Sequence, residues 1–351
     1  MKIAVVADLH WGARGDSNIF LDHFSKFYRE IFFPYIEKEN IKVVFLAGDL
    51  VDRRKFINFN TLQKMRKEFL EPLSKYEVHA IVGNHDAALK NTIELNALTE
   101  LMEQYGFNIY TEATEVQVGS EIPILMLPWI CQENYDRSLE MIKNTKAQIC
   151  LGHLELEGFE MHMGTICNEG MSVEYFDKFD VVMTGHFHHK SSRANINYLG
   201  APYQITWADY EDPRGFHIFD TDTRELEYIQ NSYKMFNKIV YSDKDKNLDD
   251  VMSWDFDFFK NTYVKVFVET KTNPYWFDMF IDELEKRAID VKIQEEIVIN
   301  DGEDSEHIEE CENIVTTLQK YVKASKIKCD REKLQSLLVQ LYNEASQLEV
   351  A

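Results

Sequence analysis

Five short apolar runs in this chain each end within a few residues of a side chain that can bind a metal ion. The runs begin at Lys2, Val43, His79, Gln148 and Asp180. Their length and β-branched content are typical of buried strands in an α/β sheet, with helical stretches between them. Because ligands of such sheets bind outside the carboxyl ends of the strands, we expect the residues after these runs to meet at one sheet edge.

The residues that follow the runs share the chemistry of ligands for hard divalent cations. They are Asp8, His10, Asp49, Asn84, His153, His186 and His188. Carboxylate, amide oxygen and imidazole ligands suit such ions, and Asp49 is central enough to bridge two of them. The pattern therefore predicts a site for two metal ions, and sites of this kind mostly hydrolyse phosphate esters. Taken singly, each Asp or His has an ordinary explanation as a cap, turn or core residue.

Three further polar residues lie beside the predicted ligands. His85 follows Asn84 and is not needed as a ligand, so we expect this histidine to donate a proton to the leaving oxygen of a phosphate ester. Asp52 is a candidate for orienting and polarising that imidazole, and its alternative role is a helix or loop cap. Asp86 is expected to be a cap or a supporting residue rather than a ligand.

The composition bounds the classes of function. A length of 351 residues favours two domains, and a formal net charge of −22 counts against nucleic acid as a partner. Bound divalent ions offset part of this objection because the formal charge omits them. The basic run Arg53, Arg54 and Lys55 follows the Asp49 motif directly. We interpret this run as a phosphate contact, with a solvated surface as the equal alternative.

The sequence also indicates a compartment. It contains no run of 18 apolar residues, and the first strand begins directly after Met1, so neither a membrane span nor a signal peptide is expected. The five cysteines form no C-x-x-C pair, which favours free thiols in a reducing cytosol. We therefore expect a cytoplasmic protein without membrane contact, in the bacterial cytosol or that of a phage-infected cell.

Strands and helices alternate over the first part of the chain, and we predict three regions: 1–225, 226–300 and 301–351. Helices are expected at 20–39, 60–75, 92–105 and 133–146, and a hairpin at 216–220 and 225–230. The second region is predicted as a small β-α-β unit with strands at 263–269 and 290–294 around a helix at 274–288. The third combines an acidic linker with two amphipathic helices, at 308–324 and 330–345.

The motifs, read in order, are D-x-H at Asp8, G-D-x-x-D at 48–52, G-N-H-D at 83–86, G-H at His153 and G-H-x-H at 185–188. This set resembles the calcineurin-like metallophosphoesterase superfamily. The resemblance implies an α/β fold, a four-layer α/β/β/α sandwich with a small α+β capping domain and C-terminal helices. It also implies two metal sites that share Asp49. One adds Asp8, His10 and His188, and the other adds Asn84, His153 and His186.

Four segments are similar to the SbcD family, the nuclease subunits of DNA repair and recombination complexes, including those of tailed phages: Asp8–Gly12, Gly48–Asp52, Gly83–Asp86 and Tyr198–Trp207. The resemblance implies exonuclease and endonuclease activity on DNA in repair, recombination and replication. It implies two divalent ions, most suitably Mn²⁺ with Mg²⁺ as the alternative. Region 226–300 would contact DNA, the terminal helices would bind an SbcC-type SMC-like ATPase, and the protein would be a homodimer. Some relatives carry a histidine where this chain has Asp52, so a mechanism with two histidines cannot be transferred.

Two other functions remain open at this point. Gly48–Arg53 resembles a motif of phosphoprotein phosphatases, although the paired histidines at 186 and 188 and the absence of a glycine after Arg53 argue against that group. Another calcineurin-like phosphodiesterase belongs to the same alternative. A scaffold without enzymatic activity is the third possibility, but a scaffold has no need for a full set of ligands.

Overall fold

The computed structural model describes residues 1–118, 122–162 and 165–295, together with Leu334. Apart from Leu334, these residues belong to one compact unit, Met1–Glu296. The acidic linker and the two amphipathic helices expected at 308–324 and 330–345 lie outside the described residues, so these expectations stay predictions. Within the described part, no helix is both long and apolar enough to cross a membrane.

Two six-stranded sheets form the centre of the fold. In spatial order the first sheet contains β14 (Leu226–Gln230), β13 (Gly215–Asp220), β1 (Lys2–Val6), β2 (Val43–Ala47), β3 (Glu77–Ile81) and β4 (Asn108–Tyr110). The second contains β11 (Ser191–Arg193), β12 (Ile196–Tyr198), β10 (Val181–Gly185), β7 (Ile149–His153), β6 (Ile122–Leu127) and β5 (Thr114–Val118). In the first sheet β1, β2 and β3 are parallel to one another, while β13 is antiparallel to β1, and in the second sheet β6, β7 and β10 are parallel. Within each sheet, the strands that carry the predicted ligands therefore end at the same edge.

The sheets pack face to face, and helices cover the outside of the first. Apolar residues of β1, β2 and β3 meet those of β6, β7 and β10 in one buried cluster. A second cluster joins the other face of the first sheet to the helices, and a third lies on the outer face of the second sheet. The α/β fold with sandwiched sheets is confirmed. The five ligand-bearing strands were expected along one sheet, and this was wrong: β1, β2 and β3 belong to the first and β7 and β10 to the second.

The helical segments are short and several continue directly into one another. The α-helices are α1 (Ala13–Asp16), α2 (Asn18–Phe27), α3 (Phe33–Lys38), α4 (Phe59–Met65), α5 (Glu71–Leu73), α6 (Ala97–Met102), α7 (Tyr135–Asn144), α8 (Leu248–Val251) and α9 (Pro274–Glu285). π-Helical turns at Tyr28–Phe32 and Arg66–Leu70 join α2 to α3 and α4 to α5, and 3₁₀ turns lie at Glu103–Tyr105, Val173–Phe176, Trp207–Asp209 and Phe256–Phe259. The helix expected from residue 92 begins only at Ala97, because Asn96 caps it by accepting a hydrogen bond from Thr99 N.

A three-stranded parallel sheet lies beyond the sandwich, and we call residues 236–295 the outer unit. Its strands are β15 (Phe236–Ser242), β16 (Tyr263–Thr270) and β17 (Asp290–Glu295), in that spatial order. Helices α8 and α9 cover one face of this sheet with an apolar core of their own. The β-α-β arrangement of β16, α9 and β17 agrees with expectation, whereas sequence reasoning missed β15. A small hairpin of β8 (Glu160–His162) and β9 (Thr165–Ile166) completes the described strands.

The hairpin predicted at 216–220 and 225–230 is confirmed as β13 and β14, which pair antiparallel. This hairpin extends the first sheet beside β1, so strand β14 belongs to the sandwich and the outer unit begins at Phe236. The region limits 1–225, 226–300 and 301–351 stay predictions.

Candidate metal centre

The predicted ligands lie together where the interior strands of the two sheets end. Asp8 and His10 follow β1, Asp49 follows β2, and Asn84 follows β3. From the second sheet, His153 is the last residue of β7, while His186 and His188 follow β10. Because the two sheets face each other, all seven side chains lie close together. We call this group of seven residues the metal edge.

The backbone at the metal edge adopts conformations that side-chain-bearing residues seldom use. Four of the ligand residues have positive φ, namely Asp8 (56°), His10 (43°), Asp49 (53°) and His186 (95°). Hydrogen bonds from Asp8 N to Gly48 O (3.2 Å) and from His10 N to Asp49 O (3.0 Å) tie the first two loops together. Strained backbone of this kind persists only where the surroundings enforce it, and it concentrates at functional sites.

Two glycines allow the loops to approach each other. A Cβ on Gly83 would lie 2.2 Å from Asp49 Oδ1, and a Cβ on Gly48 would lie 2.4 Å from His153 Nδ1. Gly48 in addition has a φ of +84°. These contacts explain physically why a glycine precedes Asp49 and Asn84 in the motifs.

One half of the metal edge gathers around the Asn84 side chain. Asn84 Oδ1 lies 2.9 Å from His153 Nε2 and 2.9 Å from His186 Nδ1. Asp49 Oδ1 lies 3.4 Å from His153 Nε2. His153 is fully buried, and its Nδ1 donates a hydrogen bond to Ala47 O at 2.8 Å. This bond turns Nε2 of His153 towards Asn84 and Asp49.

The other half gathers around His10. His188 Nε2 lies 2.9 Å from His10 Nε2, which lies 3.7 Å from Asp49 Oδ2. Asp8, His10 and His188 each place a ligand atom within 4.8 Å of the others. Asp49 therefore presents one oxygen to each half, which is the position of a bridging carboxylate.

The donor set fits divalent cations. With Nδ1 of His153 donating to Ala47, Nε2 of the neutral ring is an acceptor that faces the acceptor oxygens of Asn84 and Asp49. Asp8 Oδ2 is buried and has no hydrogen-bond partner among the described residues. Acceptors that face each other in an apolar interior need either a proton or a cation between them, and a bound cation takes the place of the proton.

Burial and neighbouring charges shift the pKa values of the same residues. Burial raises the pKa of Asp8 to about 6. Burial also raises the pKa of Asp49, but the charges of His153 and His10 outweigh it and hold that pKa well below its usual range. For His153, burial opposes the charged form, yet Asp49 raises its pKa to about 9. The ion-free centre therefore holds a proton on His153, and metal binding must release it.

His85 lies beside the ligands with its ring held in place. Its Nδ1 donates to the backbone carbonyl oxygen of Asp52 at 2.7 Å, and its amide nitrogen donates to Asp49 Oδ1 at 2.8 Å. The carboxylate of Asp52 instead lies 3.5 Å from His10 Nδ1. Asp52 thus contacts His85 through its backbone and His10 through its side chain.

Asp86 connects two of the loops. Its carboxylate accepts hydrogen bonds from Gly83 N (2.9 Å) and Val51 N (3.1 Å), so it joins the loops that follow β2 and β3. Burial, with the charge of Asp49, raises its pKa to about 7. The side chain therefore has a supporting position between these loops.

A buried ionic network, which sequence reasoning did not assign, braces the His188 loop. Arg214 donates to the backbone oxygen of His188 and to the carboxylates of Asp209 and Asp212, the latter two at 2.7 Å. Asp212 also contacts His189 Nδ1 at 3.0 Å. The sequence signal for this network is the placement of Asp212 and Arg214, two opposite charges, directly before the buried strand β13.

The basic run after Asp52 lies on a partly exposed loop. Arg53 forms an ion pair with Asp16 at 3.2 Å and lies over the Phe56 ring at 5.1 Å. Arg54 is half-buried and Lys55 is exposed. The carboxylate of Asp16 balances part of the positive charge of this run. The interpretation of the run as a phosphate contact stays a proposal.

Comparison with known proteins agrees with this geometry. The model of the calcineurin-like phosphoesterase family matches residues 1–190. Exonuclease subunit 1 of Enterobacteria phage T4 is 34% identical over 358 residues, which cover 99% of this chain and all of the relative. The SbcD subunit of the SbcCD nuclease of Staphylococcus epidermidis is 26% identical over 295 residues, covering 70% of this chain and 77% of the relative. The corresponding protein of Staphylococcus saprophyticus is 25% identical, covering 67% and 73%.

Proposed function

This chain belongs to the calcineurin-like phosphoesterase family and is SbcD-like, and from that premise we propose that it is a metal-dependent DNA exonuclease and endonuclease. It would hydrolyse phosphodiester bonds as the nuclease subunit of an SbcC–SbcD-type complex that processes DNA ends in repair, recombination and replication. The observation that carries the proposal is the pair of ligand clusters around Asp49 with His85 beside them. This arrangement suits two-metal hydrolysis of a phosphate ester.

Two divalent ions would occupy the metal edge, with Mn²⁺ the proposed choice and Mg²⁺ the alternative. Asp8, His10 and His188 would hold one ion, Asn84, His153 and His186 the other, and Asp49 both. When bound, the ions would stabilise the negative charge on the phosphate and lower the pKa of a water molecule. Oxygen and imidazole ligands are compatible with either metal.

His85 would protonate the departing 3′ oxygen, which leaves a 5′-phosphate on the product. Since Nδ1 of His85 donates to the Asp52 carbonyl, Nε2 is the atom that exchanges protons. We propose that Asp52 positions this ring through its backbone and supports His10 through its carboxylate. Proton transfer from a positioned histidine typically accelerates such a step by about 10²–10⁴-fold.

DNA would contact two basic regions on an otherwise acidic chain. Arg53, Arg54 and Lys55 form the first. The second lies on the outer unit, where the exposed Lys238 and Lys292 flank Lys265 in register, while Lys265 itself is buried over the Trp207 ring. The two exposed lysines would attract phosphate groups. They support a DNA-contacting role for region 226–300.

The proposed partners are an SbcC-type ATPase and a second copy of this chain. The two staphylococcal relatives are subunits of nucleases named SbcCD, and the sequence has no G-x-x-x-x-G-K-[ST] loop of its own. The terminal helices, which we propose as the ATPase-binding segment, lie outside the described residues. We also propose a cytosolic setting in bacteria, including phage-infected cells; the three described cysteines are free thiols.

A homodimer would bury Phe59 on α4, whose side chain is 87% exposed. Most of the apolar residues in the helices predicted at 60–75 and 92–105 belong to the core instead, including Met65, Phe69, Leu98 and Met102. Sedimentation of the wild type and of Phe59→Asp tests this interface, because the charged variant should shift the population to monomers. A wild type that sediments as a monomer at high concentration would refute the dimer.

The decisive experiment for the activity is a hydrolysis panel with Mn²⁺ or Mg²⁺, with and without the ATPase partner. The substrates are linear duplex DNA, hairpin DNA, bis(p-nitrophenyl) phosphate and a set of phosphopeptides. We expect cleavage of DNA and of the aryl diester but not of the phosphopeptides. Phosphopeptide hydrolysis without DNA cleavage would favour the phosphatase alternative, and no hydrolysis of any substrate would favour a scaffold.

A further inference from the structure

A cavity of about 310 Å³ opens beside the metal edge, and nothing described so far uses it. Its lining includes Trp129, Tyr135, Glu155, Glu169 and Met171, with the predicted metal ligand His153 at one end. The Trp129 ring lies 5.0 Å from the ring of His186, a second predicted ligand. A molecule in this cavity would therefore lie next to the Asn84 half of the metal edge.

Backbone hydrogen bonds hold both walls of the cavity. On one side Trp129 N donates to Val82 O at 2.8 Å, and the buried side chain of Asn134 binds Trp129 O and Cys131 N. These bonds hold the backbone of the turn that carries Trp129 beside the end of strand β3. The cavity wall is preformed on this side.

On the other side, Met171 N donates to Glu155 O at 2.8 Å, and Glu157 N donates to Met171 O at 3.1 Å. Gly170 packs against the same backbone so closely that a Cβ would lie 2.6 Å from Glu157 N. The segment that carries Glu169 and Met171 is thereby attached to the end of β7. A preformed cavity next to a reacting centre is the usual form of a ligand subsite.

The lining suits a nucleobase and excludes a phosphate. Trp129 and Tyr135 offer aromatic surface, while Ile130 and Met171 add apolar surface. Apart from the predicted ligand His153, the charged residues that line the cavity are Glu155 and Glu169, and no lysine or arginine lines it within the described residues. Carboxylates repel phosphate, but they accept hydrogen bonds from the exocyclic amino groups of cytosine, adenine and guanine. Bases stack on aromatic side chains irrespective of sequence.

We propose that this cavity binds the base of the nucleotide whose phosphate lies at the metal edge, with Trp129 as the stacking surface. The inference rests on the proposed nuclease function and adds a base subsite to it. Thymine, which has no exocyclic amino group, should fit the carboxylates less well than adenine or cytosine. The subsite positions the phosphate at the metal edge by holding its base.

Calorimetric titration of the Mn²⁺-loaded full-length protein separates the base from the phosphate. The ligands are deoxyadenosine 5′-monophosphate, thymidine 5′-monophosphate and 2-deoxyribose 5-phosphate, which has no base. Stacking of one base is worth about 1–3 kcal/mol, so the adenine nucleotide should bind roughly 5–150-fold more tightly than the sugar phosphate. Trp129→Leu should abolish most of this ratio, and Trp129→Phe should keep it. Glu169→Gln should reduce the preference for adenine over thymine.

The ratio of the two affinities, for the adenine nucleotide and for the sugar phosphate, is measured within each variant. A general change in metal affinity therefore affects both ligands alike. Trp254→Leu, which removes an exposed indole from the outer unit, is the matched control and should keep the wild-type ratio. Equal binding of all three ligands to the wild type would overturn the base subsite while leaving the nuclease proposal intact. Failure of even the sugar phosphate to bind would instead reject the metal edge, and the subsite with it.

Discussion

At the metal edge, four predicted ligand residues have left-handed backbone, and the buried Asp8 Oδ2 has no hydrogen-bond partner among the described residues. In the outer unit, by contrast, Ile239, Val266 and Leu284 belong to a buried apolar core on regular strands and a capped helix. The first region keeps an arrangement that costs free energy until ions bind, and the second contributes stability through apolar burial. The comparison indicates that the outer unit serves stability and not the chemistry of the metal edge.

The largest effect on chemistry should come from Asp49→Asn, because this carboxylate faces both halves of the metal edge. We expect cleavage of DNA and of bis(p-nitrophenyl) phosphate to fall to background, with weaker binding at both ion positions. Electron paramagnetic resonance of Mn²⁺ measures the binding stoichiometry. Asp282→Asn on the exposed side of α9 is the matched control and should match the wild type. Normal Mn²⁺ stoichiometry in Asp49→Asn would contradict the shared-carboxylate assignment.

His85→Asn should lower the rate of DNA cleavage by about 10²–10⁴-fold, the usual contribution of a positioned proton donor. Metal and DNA binding should be retained, since His85 is not a proposed ligand. Single-turnover cleavage and Mn²⁺ titration together separate these effects. If the variant cleaves at the wild-type rate, another group protonates the leaving oxygen.

Arg214→Lys should have a smaller effect, because it acts on His188 only through the loop. A lysine can keep one ion pair with Asp209 or Asp212, but it loses the forked contact that also reaches the His188 carbonyl. Loss of such an outer contact typically lowers metal affinity by about 10–100-fold. Mn²⁺ titration should show this weakening for one of the two ions. Unchanged affinity at both would mean that the network only stabilises the fold.

Leu284→Ala tests the opposite side of the comparison. The side chain is fully buried in the outer unit, and its truncation should cost about 2–5 kcal/mol of unfolding free energy. Hydrolysis of bis(p-nitrophenyl) phosphate by the folded variant should nevertheless equal that of the wild type, because the small diester needs only the metal edge. Chemical denaturation and a rate measured well below the melting temperature give the two values. A large loss of this rate would show that the two regions are coupled.

The ligand motifs and the α/β class could be predicted from the sequence because both are local signals. A β-branched run followed by Asp49 or His153 marks a strand end and a ligand within a few residues. The hairpin of β13 and β14 and the helix α9 were predictable for the same reason. The segments 20–39 and 60–75 were each predicted as a single helix, whereas the structure has two α-helices in each place, joined by a π-helical turn.

Contacts between distant loops could not be predicted in this way. Which sheet each strand joins depends on long-range pairing, so the strand runs by themselves indicated one sheet, and two sheets were expected only through the family resemblance. The carboxylate of Asp52 turns to His10, and its carbonyl turns to His85, because of how the first two loops fold over each other. Arg214 contacts His188 and Trp129 contacts His186, and both contacts join residues that lie far apart in the chain.

The sequence alone therefore determined which residues at the strand ends are candidate ligands and which kind of chemistry they permit, since side-chain type and spacing are local properties of a sequence. Only the tertiary structure decided how those ligands divide around Asp49 and which unassigned residues brace or border them. The physical reason is that strand pairing and loop contacts are set by packing between segments. Such packing produces no sequence periodicity within either segment that would reveal its partner.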